Sequence, residues 1–244
     1  MARMTNRSLV VLSLTLGVLS SISGLVHASA IVSDETFNNS DWERLLIRST
    51  GSYSDSATQA ATGGNPGAYR VMTHTWGSGT QVLLAHIFLA DTYDPGASGA
   101  ISSIDYYEDQ RILSSPGGSV VGRGAVVVQD DILYRTGIDV VLGSTTWETW
   151  SLLDLDAADF SGPGGAHPDF SGGGHELSFG YWRSNTIPGS TVSIIHGIDN
   201  WRFEISSTPI PAPGTFFTFA LGLPGLMLAR RTRGTGSREE RGQV

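Results

Sequence analysis

Short runs of β-branched, aromatic and aliphatic residues recur along the chain between residues 31 and 208, and turn-forming residues separate them. The run at residues 68–76, for example, ends at a Gly-Ser-Gly segment, and the next run ends before an Asp-Pro-Gly segment. Such runs at roughly even spacing are typical of strands joined by tight turns. We count about ten or eleven strands and no convincing helix, which predicts a single antiparallel β-sandwich.

The same signals predict the individual elements. Residues 80–90 fit either a helix or a buried strand by periodicity alone, but their short length and flanking turns favour a strand. Residues 125–129 and 132–135 predict a hairpin across two aspartates. Residues 154–160 predict a helical turn, and residues 51–67 predict a loop because they are rich in Ser, Thr, Ala and Gly. Further strands are predicted at residues 42–48, 68–76, 100–110, 145–153, 176–183 and 191–205, and a long loop rich in Gly and Pro at residues 161–174.

Charge and cysteine content exclude several classes of function. Residues 31–208 contain eight arginines and twenty-one acidic residues, a formal charge of −13. A surface of this sign repels phosphate backbones, so we expect no nucleic-acid partner, whereas cation binding is compatible with it. The chain has no cysteine, which excludes disulfides and thiolate metal sites. The histidines of this region show no spacing typical of a zinc site.

The first thirty residues have the three parts of a secretory signal peptide. They begin with Arg3 and Arg7, continue with an apolar stretch at residues 9–26, and end in the small residues Ala28, Ser29 and Ala30. We predict export and cleavage after Ala30, so the folded domain is expected to span residues 31–208. The alternative is an uncleaved membrane anchor, but hydroxyl side chains dilute the apolar stretch.

Residues 209–244 contain a second targeting segment. A proline-rich start is followed by an uncharged apolar run at residues 215–229 and an arginine cluster at residues 230–233. As a helix, the apolar run would extend only ~22 Å, less than the ~30 Å hydrocarbon core of a bilayer. Pro224 would also kink that helix. The pattern therefore indicates a temporary membrane stop rather than a permanent anchor.

This tail resembles the PEP-CTERM sorting signal of Gram-negative proteins that an exosortase processes. The motif of that family, Pro-Glu-Pro, is matched by Pro211, Ala212 and Pro213, with Ala212 in place of the glutamate. Gly214 follows it, and Arg230 and Arg231 begin the arginine cluster; thirteen further residues lie beyond them. The resemblance implies transient attachment to the inner membrane, an exosortase-type membrane protease as partner, and a final location at the cell surface or outside the cell.

The middle of the chain resembles jelly-roll domains of the concanavalin-like or carbohydrate-binding type. The matching segments are residues 34–37 with Trp42, residues 169–171 and 179–181, and the closing segment at residues 197–205. The resemblance implies that the first and last strands pair and bring the two ends of the domain together. It also implies a structural calcium ion held by Glu35 (or Asp34) and Asp199, beside Asn200. The alternative is that Asp199 and Asn200 shape a bulge or hold an adjoining loop.

Aromatic residues are candidates for binding an exopolysaccharide, because sugar rings stack on flat aromatic side chains. We select Trp76, Trp150 and Trp182 as ligand-binding residues; Tyr106, Tyr107 and Trp147 are the other aromatics available. Strand alternation places Trp147 and Trp150 on opposite faces, so they cannot both lie in the core.

A polysaccharide-active enzyme is the competing function. Glycosidases of concanavalin-like fold carry closely spaced acids on one strand face, in the pattern Glu-x-Asp-x-Glu. The nearest pattern here is formed by Asp105, Glu108 and Asp109, and alternation places the first two on opposite faces. The sequence therefore predicts an exported, non-catalytic structural, adhesive or exopolysaccharide-binding protein that requires no cofactor beyond the calcium ion implied above.

Overall fold

The protein is described by a computed structural model over residues 28–77, 81–115, 120–142, 144–186 and 192–208. These residues form two six-stranded sheets, which we call sheet I and sheet II. The predicted all-β antiparallel sandwich is confirmed, and the described residues contain twelve strands where the sequence indicated ten or eleven. The predicted sorting tail at residues 209–244 and residues 1–27 of the predicted signal peptide lie outside the described residues.

Sheet I has the strand order β10, β6, β12, β4, β3. Strand β12 is long enough to pair with β6 along one edge, and with β4 followed by β1 along the other. Its strands are β1 (Ala28–Asp34), β3 (Tyr53–Gly64), β4 (Gly67–Trp76), β6 (Ile101–Ser114), β10 (Glu148–Leu155) and β12 (Val192–Ser207).

Sheet II has the strand order β2, β5, β11, β7, β8, and β9 also pairs with β7. The predicted hairpin is confirmed, since β7 and β8 pair from Gln129 opposite Ile132 to Val126 opposite Arg135. Its strands are β2 (Trp42–Ser49), β5 (Gln81–Tyr93), β7 (Val120–Gln129), β8 (Ile132–Arg135), β9 (Asp139–Leu142) and β11 (Leu177–Thr186).

The first and last strands pair, as the resemblance implied. Strand β1 is antiparallel to β12, with Ala28 opposite Ser207 and Asp34 opposite Trp201. Both ends of the domain therefore lie at the same end of the sandwich. The strand begins at Ala28, so cleavage after Ala30, which stays a prediction, would shorten β1 to four residues.

Aromatic rings from the two sheets fill the space between them. Alternation turns one side chain in two inward along each strand, so that Phe179 of sheet II packs 4.9 Å from Phe203 of sheet I, centroid to centroid. Trp42 lies 4.8 Å from Trp201 in the same way. Such fully buried side chains stabilise a fold by about 2 kcal/mol or more each.

Two elements differ from the sequence prediction. Most of the segment predicted as a loop at residues 51–67 is the edge strand β3, paired with β4 from Tyr53 opposite Trp76 to Gly64 opposite Gly67. Its Ser, Thr and Ala residues form a strand because pairing with β4 satisfies the backbone while most side chains remain exposed. Strand β9 was not predicted.

Helical structure is limited to single turns in the described residues. A short helix α1 spans Pro95–Ser98, and 3₁₀ turns span Asn39–Asp41, Ala157–Asp159 and Pro163–Gly165. The predicted helical turn at residues 154–160 is confirmed, and Asp156 caps it. No helix in the described part of the chain has the length and apolar composition needed to cross a membrane.

Candidate functional site

A groove lies on the outer face of sheet II, between the edge strand β2 and the wall formed by β8 and the loop after residue 160. We call it the sheet II groove. It consists of two adjoining parts of about 550 Å³ and about 350 Å³, which share Ile47 and Arg135. The first part is mainly aliphatic, and its lining includes Leu45, Ile47, Ile132, Leu133 and Pro163. The second part is more polar, and its lining includes Arg48, Gln81, Leu83, Arg135, Trp182 and Ser184.

Trp182 belongs to the floor of this groove. It follows Tyr181 on β11, so alternation turns it to the outer face, where it packs with Leu83 and Val126. The guanidinium of Arg135 lies 5.4 Å from the ring centroid and helps to cover it, and the side chain is 0% exposed. Its strand partner is Gly124, where a Cβ would lie 2.3 Å from the indole Nε1, so only glycine leaves room for the ring.

The wall opposite β2 is fixed by backbone pairing. Arg135 donates its N–H to the carbonyl of Ser161 at 3.1 Å, and Ser161 donates back to the Arg135 carbonyl at 2.9 Å. The buried rings of Phe160 and Phe170 pack edge to face at 5.9 Å, and His167 bonds the Phe160 carbonyl through Nδ1 at 2.8 Å. The loop predicted at residues 161–174 is thereby anchored to the core at both of these rings.

None of the three predicted ligand-binding tryptophans is exposed: Trp182 is fully buried beneath the groove, and the other two face the space between the sheets. Trp76 is 1% exposed and packs between the sheets against Val82 and Ile194, because alternation along β4 turns it inward. Trp150 also points inward, packing edge to face 5.6 Å from Tyr106. Both are therefore corrected to core or core-facing residues.

Trp147, the other tryptophan near β10, is also half-buried but faces the opposite way from Trp150. It lies on the outer face of sheet I, where the Arg111 guanidinium is 4.6 Å from its ring and 5.2 Å from the ring of Tyr69. Gly197 provides the space beneath, since a Cβ there would lie 3.1 Å from Trp147. The prediction that Trp147 and Trp150 face opposite ways is confirmed.

The residues that were predicted to bind calcium have other roles in the structure: Asp34 accepts hydrogen bonds, and Glu35 is exposed. Asp34 accepts hydrogen bonds from Trp42 Nε1 at 2.6 Å and from the N–H groups of Thr36 and Phe37 at 2.7 and 2.9 Å. Glu35 is exposed on the turn that follows. Within the described ranges, no group of three or more acidic or histidine side chains is arranged to hold a metal ion.

Asp199 and Asn200 instead shape a bulge and hold a loop, the alternative that the sequence left open. Asn200 has a positive φ of 48°, and the register with β6 shifts at this point. Asp199 accepts the N–H groups of Asn65 and of Asn200, and the Asn200 amide donates to the Asn65 carbonyl at 2.5 Å. Burial raises the pKa of Asp199.

The same bulge contains two neighbouring carboxylates, the arrangement closest to a glycosidase pair. Asp109 lies opposite Asp199 in the ladder between β6 and β12. Its oxygens accept from Thr149 at 2.6 Å, from Asn65 at 2.9 Å and from Asn200 at 2.6 Å. Both carboxylates are buried under the β3–β4 turn on sheet I, away from the sheet II groove, and they clamp that turn. Among the described residues that line the groove, Asp131 is the one carboxylate.

Three histidines that are distant in sequence meet between the sheets. His74, His86 and His196 are at most 2% exposed; the rings of His74 and His196 lie 4.9 Å apart, and those of His74 and His86 lie 6.4 Å apart. We call them the interior histidine cluster. His74 bonds Asn185 through Nδ1 at 2.7 Å. Burial lowers the pKa of His74 to about 4, and it lowers the pKa of the other two well below the usual 6.5.

A buried ion pair lies beside the interior histidine cluster. Arg183 on β11 donates to both carboxylate oxygens of Glu108 on β6 at 2.8 Å, and Tyr106 donates to the same carboxylate. Burial and the nearby Glu108 raise the pKa of Tyr106. No sequence pattern indicates this convergence beyond the inward position of each residue on its own strand.

Comparison with known proteins gave structural likenesses only. No family model matches the chain, and a search of curated proteins found no match. A family 11 carbohydrate-binding module from Clostridium thermocellum, solved with a mixed-linked β-1,3-1,4 tetrasaccharide, is 9% identical, covers 74% of this chain and 96% of its own, and has a TM-score of 0.41. The C-terminal family 22 carbohydrate-binding module of Clostridium thermocellum Xyn10B is 9% identical, covers 73% and 94%, and has a TM-score of 0.40. At these values the likeness identifies neither a family nor a ligand.

Proposed function

We propose that the folded part of this protein is a non-catalytic polysaccharide-binding module and that the sugar chain lies in the sheet II groove. The observation that supports this most directly is the groove itself, two adjoining parts of about 550 Å³ and about 350 Å³ on one sheet face. Ligand sites typically combine apolar walls with a few polar groups that fix orientation. This groove has both, in separate parts that share Arg135.

The chemistry of the lining fits a sugar chain. A pyranose ring presents apolar C–H groups on its faces and hydroxyl groups at its edges. Leu45, Ile47 and Leu133 offer aliphatic contact in the first part. Gln81 and Ser184 offer amide and hydroxyl groups in the second part. A ligand made of repeating units would occupy both parts at once.

The arrangement of carboxylates supports binding rather than hydrolysis. Hydrolysis with retention requires two carboxyl groups about 5 Å apart beside the scissile bond. The neighbouring pair, Asp109 and Asp199, lies on the other sheet and its oxygens accept hydrogen bonds from the β3–β4 turn and its surroundings. We therefore assign that pair a structural role.

The same proposal includes export and sorting, which are supported by sequence patterns. The signal-peptide pattern at residues 1–30 and the PEP-CTERM-like tail support delivery to the cell surface through an exosortase-type system, with Ala212 as the departure from the family motif. Because Ala28 lies opposite Ser207, the two ends of the described domain lie at one end of the sandwich.

Retention of the full chain on a panel of soluble polysaccharides tests the site. Ile132 lines the groove and is 39% exposed, so Ile132→Glu is expected to abolish retention by introducing a charge at the apolar wall. Leu153→Glu is the matched control, because Leu153 is 57% exposed on β10 of sheet I. Equal retention of the two variants would exclude the groove, and release of reducing ends from the bound polysaccharide would favour the enzyme instead.

A further inference from the structure

The eight arginines of residues 31–208 differ in how their charge is compensated. Four form ion pairs with carboxylates, and two lie against aromatic rings elsewhere; these are Arg44, Arg123, Arg183 and Arg202 in the first group, and Arg70 and Arg111 in the second. The remaining two, Arg48 and Arg135, both line the sheet II groove. Neither has a carboxylate within ion-pair distance in the part of the chain that the structure describes.

The position of Arg135 is defined by its surroundings. Its backbone is held in the bridge to Ser161, and its guanidinium lies over the ring of Trp182 at 5.4 Å. A guanidinium stacked on a ring keeps its N–H groups at the edge, where they can bind a planar anion through two parallel hydrogen bonds. The side chain is half-buried, so its charge has lost part of its water without gaining a carboxylate.

Four of the eight arginines have no carboxylate partner among the described residues, and two of these four, Arg48 and Arg135, line the sheet II groove. Acidic residues outnumber arginines by twenty-one to eight between residues 31 and 208, so carboxylates are abundant as partners for arginine. Arg48 and Arg135 nevertheless lie together in the smaller part of the groove, while Asp131 lines the other part. The groove therefore has a basic end within an acidic domain.

We propose that the groove is selective for polysaccharides that contain uronic acids, and that Arg135 and Arg48 bind the sugar carboxylates. This inference depends on the proposed function and adds the chemical class of the ligand. Charge-assisted, two-pronged hydrogen bonds between guanidinium and carboxylate are about twice as strong as neutral ones, which gives acidic sugars an advantage over neutral sugars of the same shape. Gln81 and Ser184 bind the hydroxyl groups of the same unit.

Titration calorimetry of the full chain with three tetrasaccharides tests the inference. The probes are α-1,4-galacturonate, β-1,4-mannuronate and, as the neutral case, cellotetraose. We expect at least one uronate to bind about tenfold more tightly than cellotetraose, and Arg135→Gln or Arg48→Gln to remove about that factor. Arg202→Gln is the control, because Arg202 lies on sheet I, away from the groove, and pairs with Glu204.

The outcomes distinguish failure of the uronate selectivity from failure of polysaccharide binding itself. Binding of cellotetraose as tight as that of both uronates would overturn the uronate inference and leave the polysaccharide-binding module standing. Absence of binding to every probe and to the polysaccharide panel would overturn both. Uronate binding that survives both groove substitutions would also overturn the inference. Arg135→Lys, which keeps the charge but not the fork of donors, is expected to bind uronate with intermediate affinity and guards against misfolding of the glutamine variant.

Discussion

Mild acid is expected to unfold this domain, because the interior histidine cluster must stay neutral in the folded state. The groups that face the cluster do little to accommodate added charge. Arg70 and Arg183 disfavour it, and Glu108 is already paired with Arg183. Asp55 raises the pKa of His74 somewhat, whereas Arg44 lowers it. Lowering the pH from 7 to 5 is therefore the perturbation to apply.

The size of the effect follows from the pKa values. Burial lowers the pKa of His74 from 6.5 to about 4, so the unfolded state binds a proton between these values that the folded state does not. For His74, the free energy of unfolding is thus unaffected above pH 6.5 and falls by about 1.4 kcal/mol per unit as the pH drops toward 4. At pH 5 His74 alone removes about 2 kcal/mol, a large part of the roughly 5–15 kcal/mol that is typical of a domain. His86 and His196 act in the same direction, because burial lowers their pKa values as well.

Urea unfolding followed by tryptophan fluorescence at several pH values measures this slope. His86→Leu is the informative variant, because neither ring nitrogen of His86 has a hydrogen-bond partner among the described residues. The slope of the free energy of unfolding between pH 6 and pH 5 should become shallower, because this variant no longer gains a proton at position 86 on unfolding. His175→Asn is the control, because His175 is exposed and the hydrogen bond that it donates to Asp130 raises its pKa, which acts in the opposite direction.

Two results would contradict this prediction. A free energy of unfolding that is constant between pH 7 and pH 5 would show that the histidines gain protons in the folded state without cost. An undiminished slope in His86→Leu, together with a reduced slope in His175→Asn, would place the titrating group at the surface. Protonation of carboxylates does not mimic the expected result, because it acts mainly below pH 5.

Three further predictions concern stability and processing. Gly124→Ala should lower the free energy of unfolding by about 1–3 kcal/mol in urea titrations, because the added Cβ would displace the Trp182 indole; an unchanged midpoint would contradict the packing of the groove floor. Glu108→Gln should lower the free energy of unfolding by about 3–5 kcal/mol, because it leaves Arg183 buried without its carboxylate. A thermal melt would record this as a fall of several degrees in Tm, and an unchanged Tm would mean that water reaches the pair. The exported protein should begin at Ile31 by intact mass, and a mass that includes residues 1–30 would identify an uncleaved anchor.

Local signals predicted much of the fold. Turn residues and alternating runs located nine of the twelve strands in the described residues, with errors of a few residues at their ends. Strand β1 was expected only from the resemblance, and β3 was taken for a loop, because an edge strand does not need an apolar face. The prediction that Trp147 and Trp150 face apart held because it depends only on the two-residue period of a strand.

The candidate site was harder to predict from the sequence than the fold. Trp76 and Trp182 look alike as aromatic residues on strands, yet one lies between the sheets and the other in the floor of the groove. Which face of a strand is inside depends on the sheet it joins, and local periodicity does not state that. Calcium ligands were selected by resemblance, and the structure gives Asp34 and Asp199 hydrogen-bonding roles instead.

The sequence by itself determined that the chain is built of antiparallel strands, that its domain is acidic, and that targeting patterns flank it. These properties depend on composition and on neighbours within a few residues. Only the tertiary structure decided that Arg48 of β2, Arg135 of β8 and Trp182 of β11 share one groove, and that three histidines share one interior. The physical reason is that strand order is set by hydrogen bonding and packing between distant segments, so side chains far apart in sequence become neighbours only when both sheets close.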